Sequence, residues 1–353
     1  MKKILLLLII VSLQYGQEGV SFNISPSWKI TEGLLNPIEM KIKDDYLYVF
    51  DYGSDYPFTR IDVKTKEVQS FGKWGMGPSE VSRRGGIELC GFDDNFIYIA
   101  DKVQRKIMLF NLNNLKYNSL IDIPDISALN ILFDPLQKRF VINEANMGPY
   151  FFSEWSLDVP KKSGPFTIKG KERFGNLKEF ELLNVCAKNF LLKQGCAEYD
   201  NVGNLYFLTG NGSLVMAFDK QNKNIFMTLK PFEVKIPDFV TFPGMEGFMS
   251  PPINLYPETY VGMDVDNDYV YGIYSGFQDN SKTSKFEDVE YGHGNKLIIF
   301  NKSNGSVFKI LILPIRIKRI QVTPKNIYFL STDKEIAIYK YNKESFYEHI
   351  NKK

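Results

Sequence analysis

The chain has 353 residues, with 43 Lys and Arg against 41 Asp and Glu and a formal net charge of +2. That balance argues against a partner held mainly through phosphate backbones, so nucleic acid is not an expected ligand. The 28 Phe and 20 Tyr favour half-buried pleated surfaces, which points to strands.

The first residues read as a separate object. Lys2-Lys3 is a short positive start, Ile4 to Val11 is unbroken apolar, and Ser12 to Gly16 follows. This is the order of a secretory signal, with cleavage expected after Gly16. The apolar run is far shorter than the roughly 20 residues a membrane-spanning helix needs. The expectation is a signal peptide over 1–16 and one domain over 17–353, exported to the periplasm or beyond. No transmembrane segment would remain after cleavage, and no Cys follows the apolar run to carry a lipid. Loss of Lys2 and Lys3 leaves acids and bases equal in number.

From there a phrase returns six times: a polar turn, an aromatic-rich strand, then a second strand. The first copy is Asp44 to Asp51, then Arg60-Ile61-Asp62. The second runs from Asp93 through Tyr98 to Asp101, then from Arg105 to Asn111. Asp134 opens the third, with Arg139 to Ile142 and Phe151 to Trp155. The fourth is Asp200 to Leu208, then Leu214 to Asp219. The fifth is Asp266 to Ile273, then Lys296 to Asn301. The sixth is Pro324 to Leu330, then Glu335 to Tyr339. Asp, Asn and Gly supply tight turns because they bond their own backbone or tolerate positive φ. The strands are apolar at nearly every position, the pattern of sheets covered on both faces. Six such units in one chain read as a six-bladed β-propeller with four-stranded antiparallel blades, an all-β fold. Extra length falls in three stretches, 164–195, 231–257 and 278–295. For ring closure, Val20, Phe22 and Ile24 alternate as a strand, so residues 20–24 are expected as the outer strand beside Glu335 to Tyr339. The polar C-terminal tail is expected to contribute little.

The second copy also resembles the NHL-type repeat and the related TolB-like propellers of exported bacterial proteins. The matching residues are Gly72, Gly75, Gly77-Pro78, Glu80, Ile97 to Asp101, Arg105, Ile107 and Phe110. The resemblance implies a six-bladed, exported propeller and carries over no catalytic residue.

The motifs with chemical content each have a plainer reading. The stretch Gly72 to Gly77 lacks the Gly-Lys-Ser/Thr ending and the helix that a phosphate loop requires. Asp264 to Asp268 has the carboxylate density of a calcium loop, but Tyr269 and Ser275 stand where Gly and Glu belong. His293 and His349 are the two histidines, both expected in solvent, and no Gly-x-Ser-x-Gly elbow occurs. Cys90 reads as core. Cys186 and Cys196 fit either a short-loop disulfide or two buried thiols.

Neither a cofactor nor a metal site is expected. Inner strands such as Ile87 to Phe92 read as apolar, with no repeated set of channel carboxylates. Two loop clusters are the candidate binding residues: Trp74, Arg83 and Arg84, and then Phe242, Met245 and Phe248 within Asp238 to Pro252. The expected function is a non-catalytic binding or scaffold module for a protein or carbohydrate partner. The alternative is a lactonase-like hydrolase or lyase with a metal in the central channel. Convergent channel carboxylates and amides would mark the enzyme.

Overall fold

The computed structural model describes residues 19–22, 24–123, 128–144, 149–158, 167–176, 193–229, 258–277 and 292–351. The chain is a six-bladed β-propeller. Blade one holds β3 (Pro37–Lys43), β4 (Tyr46–Asp51), β5 (Phe58–Asp62) and β6 (Val68–Phe71). Blade two holds β7 (Ile87–Phe92), β8 (Phe96–Asp101), β9 (Lys106–Asn111) and β10 (Tyr117–Asp122). Blade three is β11 (Ala128–Asp134), β12 (Arg139–Glu144), β13 (Tyr150–Asp158) and β14 (Thr167–Asn176). Blade four is β15 (Gly195–Tyr199), β16 (Leu205–Thr209), β17 (Leu214–Phe218) and β18 (Asn224–Leu229). Blade five is β19 (Glu258–Val265), β20 (Tyr269–Phe277), β21 (Gly294–Asn301) and β22 (Val307–Ile317). Blade six is β23 (Arg319–Val322), β24 (Asn326–Ser331) and β25 (Ala337–Asn342), completed by β2 (Trp28–Ile30).

A repeated Asp makes the inner hairpin of blades two to five, and Thr323 takes its place in blade six. Asp93 Oδ1 accepts the amides of Asn95 and Phe96 at 2.8 and 2.7 Å, and its Oδ2 accepts the Tyr98 hydroxyl at 2.7 Å. Asp266 does the same for Asp268, Tyr269 and Tyr271. Asp200 accepts the amides of Val202 and Asn204, with Tyr206 at 3.5 Å. The side chain thus replaces the ladder bonds lost at the turn, and the tyrosine two residues into the next strand anchors it.

The continuous apolar strands follow from packing on both faces. In β4, Leu47 and Val49 face Tyr328, Leu330 and Ile338 of blade six. Tyr48 and Phe50 face Leu89, Ile97 and Ile99 of blade two. Alternation survives, but both sides meet a neighbour, so neither set is polar.

Closure differs from the expectation in its strand. The outer partner of β25 is β2, with Trp28 opposite Lys340 and Ile30 opposite Ile338. Residues 20–24 do not lie there: β1 (Val20–Ser21) runs parallel to β22 on blade five, with Val20 opposite Leu311. The alternation reads out a buried side chain, not a place in blade six. Phe22 is 1% exposed and sits 4.8 Å from Phe346, 5.6 Å from Tyr341 and 5.9 Å from the His349 ring. The C-terminal tail is also more than expected. It forms α1 (Lys343–Asn351), capped by Asn342 accepting the Ser345 amide at 3.0 Å, and buries Phe346 and Ile350 one turn apart.

Phe22 therefore fastens blades five and six to the terminal helix. Phe22→Ala should destabilise the fold by about 3–5 kcal/mol, read as a lower Tm. An unchanged Tm would show that β2 alone closes the ring.

Candidate functional site

The innermost strands β3, β7, β11, β15, β19 and β23 touch in a closed ring and surround the axis. Each has one edge without a ladder partner, so its backbone groups need bonds from elsewhere. Side chains supply them, each reaching from one blade to the next. Glu39 accepts the Leu89 amide at 2.9 Å, and Glu88 accepts the Ile131 amide at 2.8 Å. Asn130 donates to the Gly195 carbonyl at 2.7 Å. Asp264 accepts the Val322 amide, and Gln321 accepts the Ile42 amide at 2.8 Å. Arg319 donates to the Val261 carbonyl at 2.6 Å. Blade four departs from this scheme. Its Glu198 meets Lys41 of blade one at 2.5 Å, straight across the channel.

This corrects the expectation of apolar inner strands without a repeated polar set. All six blades contribute polar side chains to the axis: Glu39 and Lys41, Glu88, Asn130, Cys196 and Glu198, Asp264, and then Arg319 and Gln321. A search for one residue type at one position misses them, because the types differ from blade to blade. Polar residues alternating within the strand before each Asp turn carried the signal.

Burial governs the charges. Glu39 is pushed up to about 7 by burial, reinforced by Glu88 nearby. Burial and then Glu198 hold Asp264 well above the usual carboxylate range. For Lys41 burial acts downward, but Glu198 and Glu39 outweigh it and keep the ammonium above the ordinary lysine value. Burial pushes the Cys196 thiol up to about 11. The chamber between these groups holds about 100 Å³. Above it, a vestibule of about 320 Å³ opens between blades three, four, five and six, lined by Asn130, Cys196, Glu258, Tyr260, Gly292 and Arg319 among others.

The vestibule lies at the face where the inner strands begin. The loop joining β6 to β7 crosses that same face and carries Trp74, Arg83 and Arg84. Trp74 and Arg83 come together: the guanidinium carbon lies 4.9 Å from the indole, Tyr52 packs edge-on at 5.7 Å, and the Tyr52 hydroxyl donates to the Arg83 carbonyl. Trp74 is half-buried and its Nε1 donates to the Ser54 carbonyl at 2.8 Å. Arg83 and Arg84 are exposed. Phe242, Met245 and Phe248 lie outside the described residues, between β18 and β19, whose flanking ends are at this face.

The other motifs resolve locally. Lys106 Nζ donates to the carbonyls of Gly77, Pro78 and Glu80 at 2.5, 3.2 and 2.7 Å, so the glycine loop is a cage of carbonyls around a resident cation. A phosphate loop would present amides. Gly75, at φ 154°, lets the chain fold over Glu80, whose carboxylate accepts the Gly77 amide at 2.8 Å. Asp266 is a turn residue paired with Lys343 at 2.5 Å. His293 is half-buried on Thr332, and His349 is packed at Phe22, so neither is the free solvent histidine expected. Cys90 and Cys196 are free thiols, and Cys186 lies outside the described residues. Among the described residues no helix is long and apolar enough to cross a membrane.

No family model and no curated protein matches the chain. Solved structures do. A Bacteroides fragilis protein described as exported shares 11% identity over 92% of this chain and 94% of its own, with a TM-score of 0.50. The β-propeller domain of Myceliophteria thermophila Cps50 (Swd1) shares 12% over 89% and 99%, with a TM-score of 0.48. Kuenenia stuttgartiensis hydrazine synthase shares 12% over 87% and 77%, at 0.45. At such identities the likeness is one of fold.

Glu39 gives a titration test. Its ordinary value is 4.5 and its folded value about 7, so between them the folded chain keeps a proton that the unfolded chain releases. Stability from this group is therefore present at acid pH and falls as pH rises through that window. Glu39→Gln should flatten the fall of Tm across that range. A slope equal to that of the parent would place the titration elsewhere.

Proposed function

We propose that the protein is an exported, non-catalytic binding propeller that meets a protein or carbohydrate partner through the face on which the vestibule opens. One observation carries this reading: the channel's polar groups serve the ring. Glu39, Glu88 and Asp264 each hold an amide of the next blade, and Glu198 holds Lys41. The chamber they leave, about 100 Å³, is well below the roughly 300 Å³ at which small-molecule pockets begin. On the same face, Trp74, Arg83 and Tyr52 form an aromatic and cationic cluster on a rigid scaffold, the residue types that dominate binding hot spots. Export rests on Lys2-Lys3, the apolar run from Ile4 to Val11 and the NHL-like, TolB-like character of the second repeat.

A second reading, a channel hydrolase or lyase with a metal, draws on the convergence of Glu39, Glu88, Asn130, Glu198 and Asp264. The donor set does not fit that role. Among the described residues no group of three or more His, Cys, Asp and Glu is placed to share an ion.

Retention of the purified protein on arrays of polysaccharides and envelope proteins is the test. The Trp74→Ala, Arg83→Ala double variant should lose about tenfold or more in affinity. Full retention by that variant would move the binding surface elsewhere. EDTA should leave Tm unchanged, and a fall would favour the metal reading. N-terminal sequencing of the protein recovered outside the cytoplasm should begin at Gln17. Recovery of the whole chain only inside the cell would sink the export reading.

A further inference from the structure

Exposed apolar side chains gather on one part of the binding face. Among the described residues nine large ones are exposed, and five stand over blades one and two: Leu35, Tyr52, Tyr56, Met76 and Val103, between 37% and 61% exposed. Leu35 precedes β3, Tyr52 and Tyr56 lie in the β4–β5 turn, Met76 in the β6–β7 loop and Val103 in the β8–β9 turn. Strand direction puts all four segments at the end where the inner strands begin. The other four side chains are spread over blades three, four and five. Single apolar residues on a surface are ordinary, whereas a group on one face marks a contact surface.

Hydrogen bonds tie these segments into one rigid surface. Asp51 accepts the amides of Leu35, Asn36 and Gly53 at 2.7, 2.8 and 2.9 Å, which fastens the Leu35 segment to the β4–β5 turn. Trp74 and Tyr52 fasten that turn to the β6–β7 loop through the Ser54 and Arg83 carbonyls. Gln104 donates to the Gly75 and Glu80 carbonyls at 3.1 and 3.3 Å, and so fastens the loop to the β8–β9 turn. A surface ordered before contact loses little entropy on binding and suits a partner of fixed shape.

The charge around the group is positive. The β6–β7 loop carries Lys73, Arg83 and Arg84, all exposed, and among the described residues no carboxylate pairs with them. The acid of that loop, Glu80, is folded back on the Gly77 amide. Glu32 and Asp55 are exposed on the adjoining segments and leave the cations in excess. Arg83 is steadied over Trp74, and a guanidinium offers a carboxylate two parallel donors. Leu35, Met76 and Val103 have nothing to offer a sugar hydroxyl. A second copy meeting this face with the same face would set cations against cations.

We propose that this surface docks an acidic segment of a partner protein, whose apolar side chains cover Leu35, Tyr56, Met76 and Val103 and whose carboxylates meet Arg83 and Arg84. This rests on the reading of that face as the binding face and names the class of partner. The apolar contacts supply the affinity, while charge guides approach and choice of partner, so binding weakens as salt rises.

The probe is a random peptide library displayed on phage and selected on the purified protein. Selected peptides should combine Leu, Ile, Phe or Trp with an excess of Asp and Glu, and synthetic copies should bind more weakly at high salt by calorimetry. Arg83→Glu with Arg84→Glu should weaken them by roughly tenfold or more, and Leu35→Ser with Met76→Ser by a similar factor. Copies with Asn and Gln in place of Asp and Glu should lose about as much on the parent protein, a comparison that involves no variant fold. Peptides without an acid excess, or binding undiminished in either double variant, would overturn the proposal. So would sedimentation with phosphatidylglycerol vesicles, or a dimer in the ultracentrifuge, that both double variants abolish. A polysaccharide held on the arrays through Trp74 and Arg83 would leave the binding face in place and reject the protein segment alone.

Discussion

Six inner strand edges face one narrow axis, and every backbone group on them must find a partner. In an open sheet water would serve. Here side chains of one blade hold the backbone of the next: Glu39 on Leu89, Glu88 on Ile131, Asn130 on Gly195, Asp264 on Val322, Gln321 on Ile42. The hydrophobic clusters between blades supply the bulk of the burial, but they are non-directional. The hydrogen bonds fix the rotation and height of each blade about the axis. Everything placed at the ends of the strands, from the vestibule wall to the Trp74 loop, inherits its position from them.

This arrangement also explains how acids come to be buried at the axis. Glu39 and Asp264 are favoured there as hydrogen-bond acceptors, and burial answers by raising both carboxyls. Lys41 reconciles the remaining charge by crossing to Glu198. A buried pair of this kind adds little net stability over an apolar one and more in specifying geometry. Blade one is thereby tied to the blade opposite as well as to its neighbours.

Much of the fold was legible because the repeat states it in side-chain chemistry. Asp93 with Tyr98 and Asp266 with Tyr271 are one device, a turn carboxylate and its anchoring phenol, visible as Asp followed five residues later by Tyr. Blade three hid it, since Asp134 takes Arg139 in place of a tyrosine. The channel was not legible. Its residues share a location without sharing a type, and Ile87-Glu88-Leu89-Cys90 reads as apolar until the axis is known. Closure was legible in kind, since the N-terminus does complete blade six, but Trp28-Lys29-Ile30 is too short to register as a strand. Phe22 announced burial without saying against what, and Asn342 with Phe346 and Ile350 held a helix signal easily passed over as polar tail. The vestibule's Glu258 and Tyr260 stand beside residues outside the description, and nothing in their immediate sequence marks them.

The path of the first residues has a mechanical consequence. β1 lies along the outer edge of blade five, parallel to β22, and the chain then crosses to blade six to become β2. Tension arriving from the leading end is borne first by β1 and the packed Phe22. The clasp formed by Trp28 to Ile30 feels it only after those have peeled away. A cable is secured in the same manner, with a strain relief ahead of the connector, so a pull on the leading end spends itself on blade five before the circle is opened.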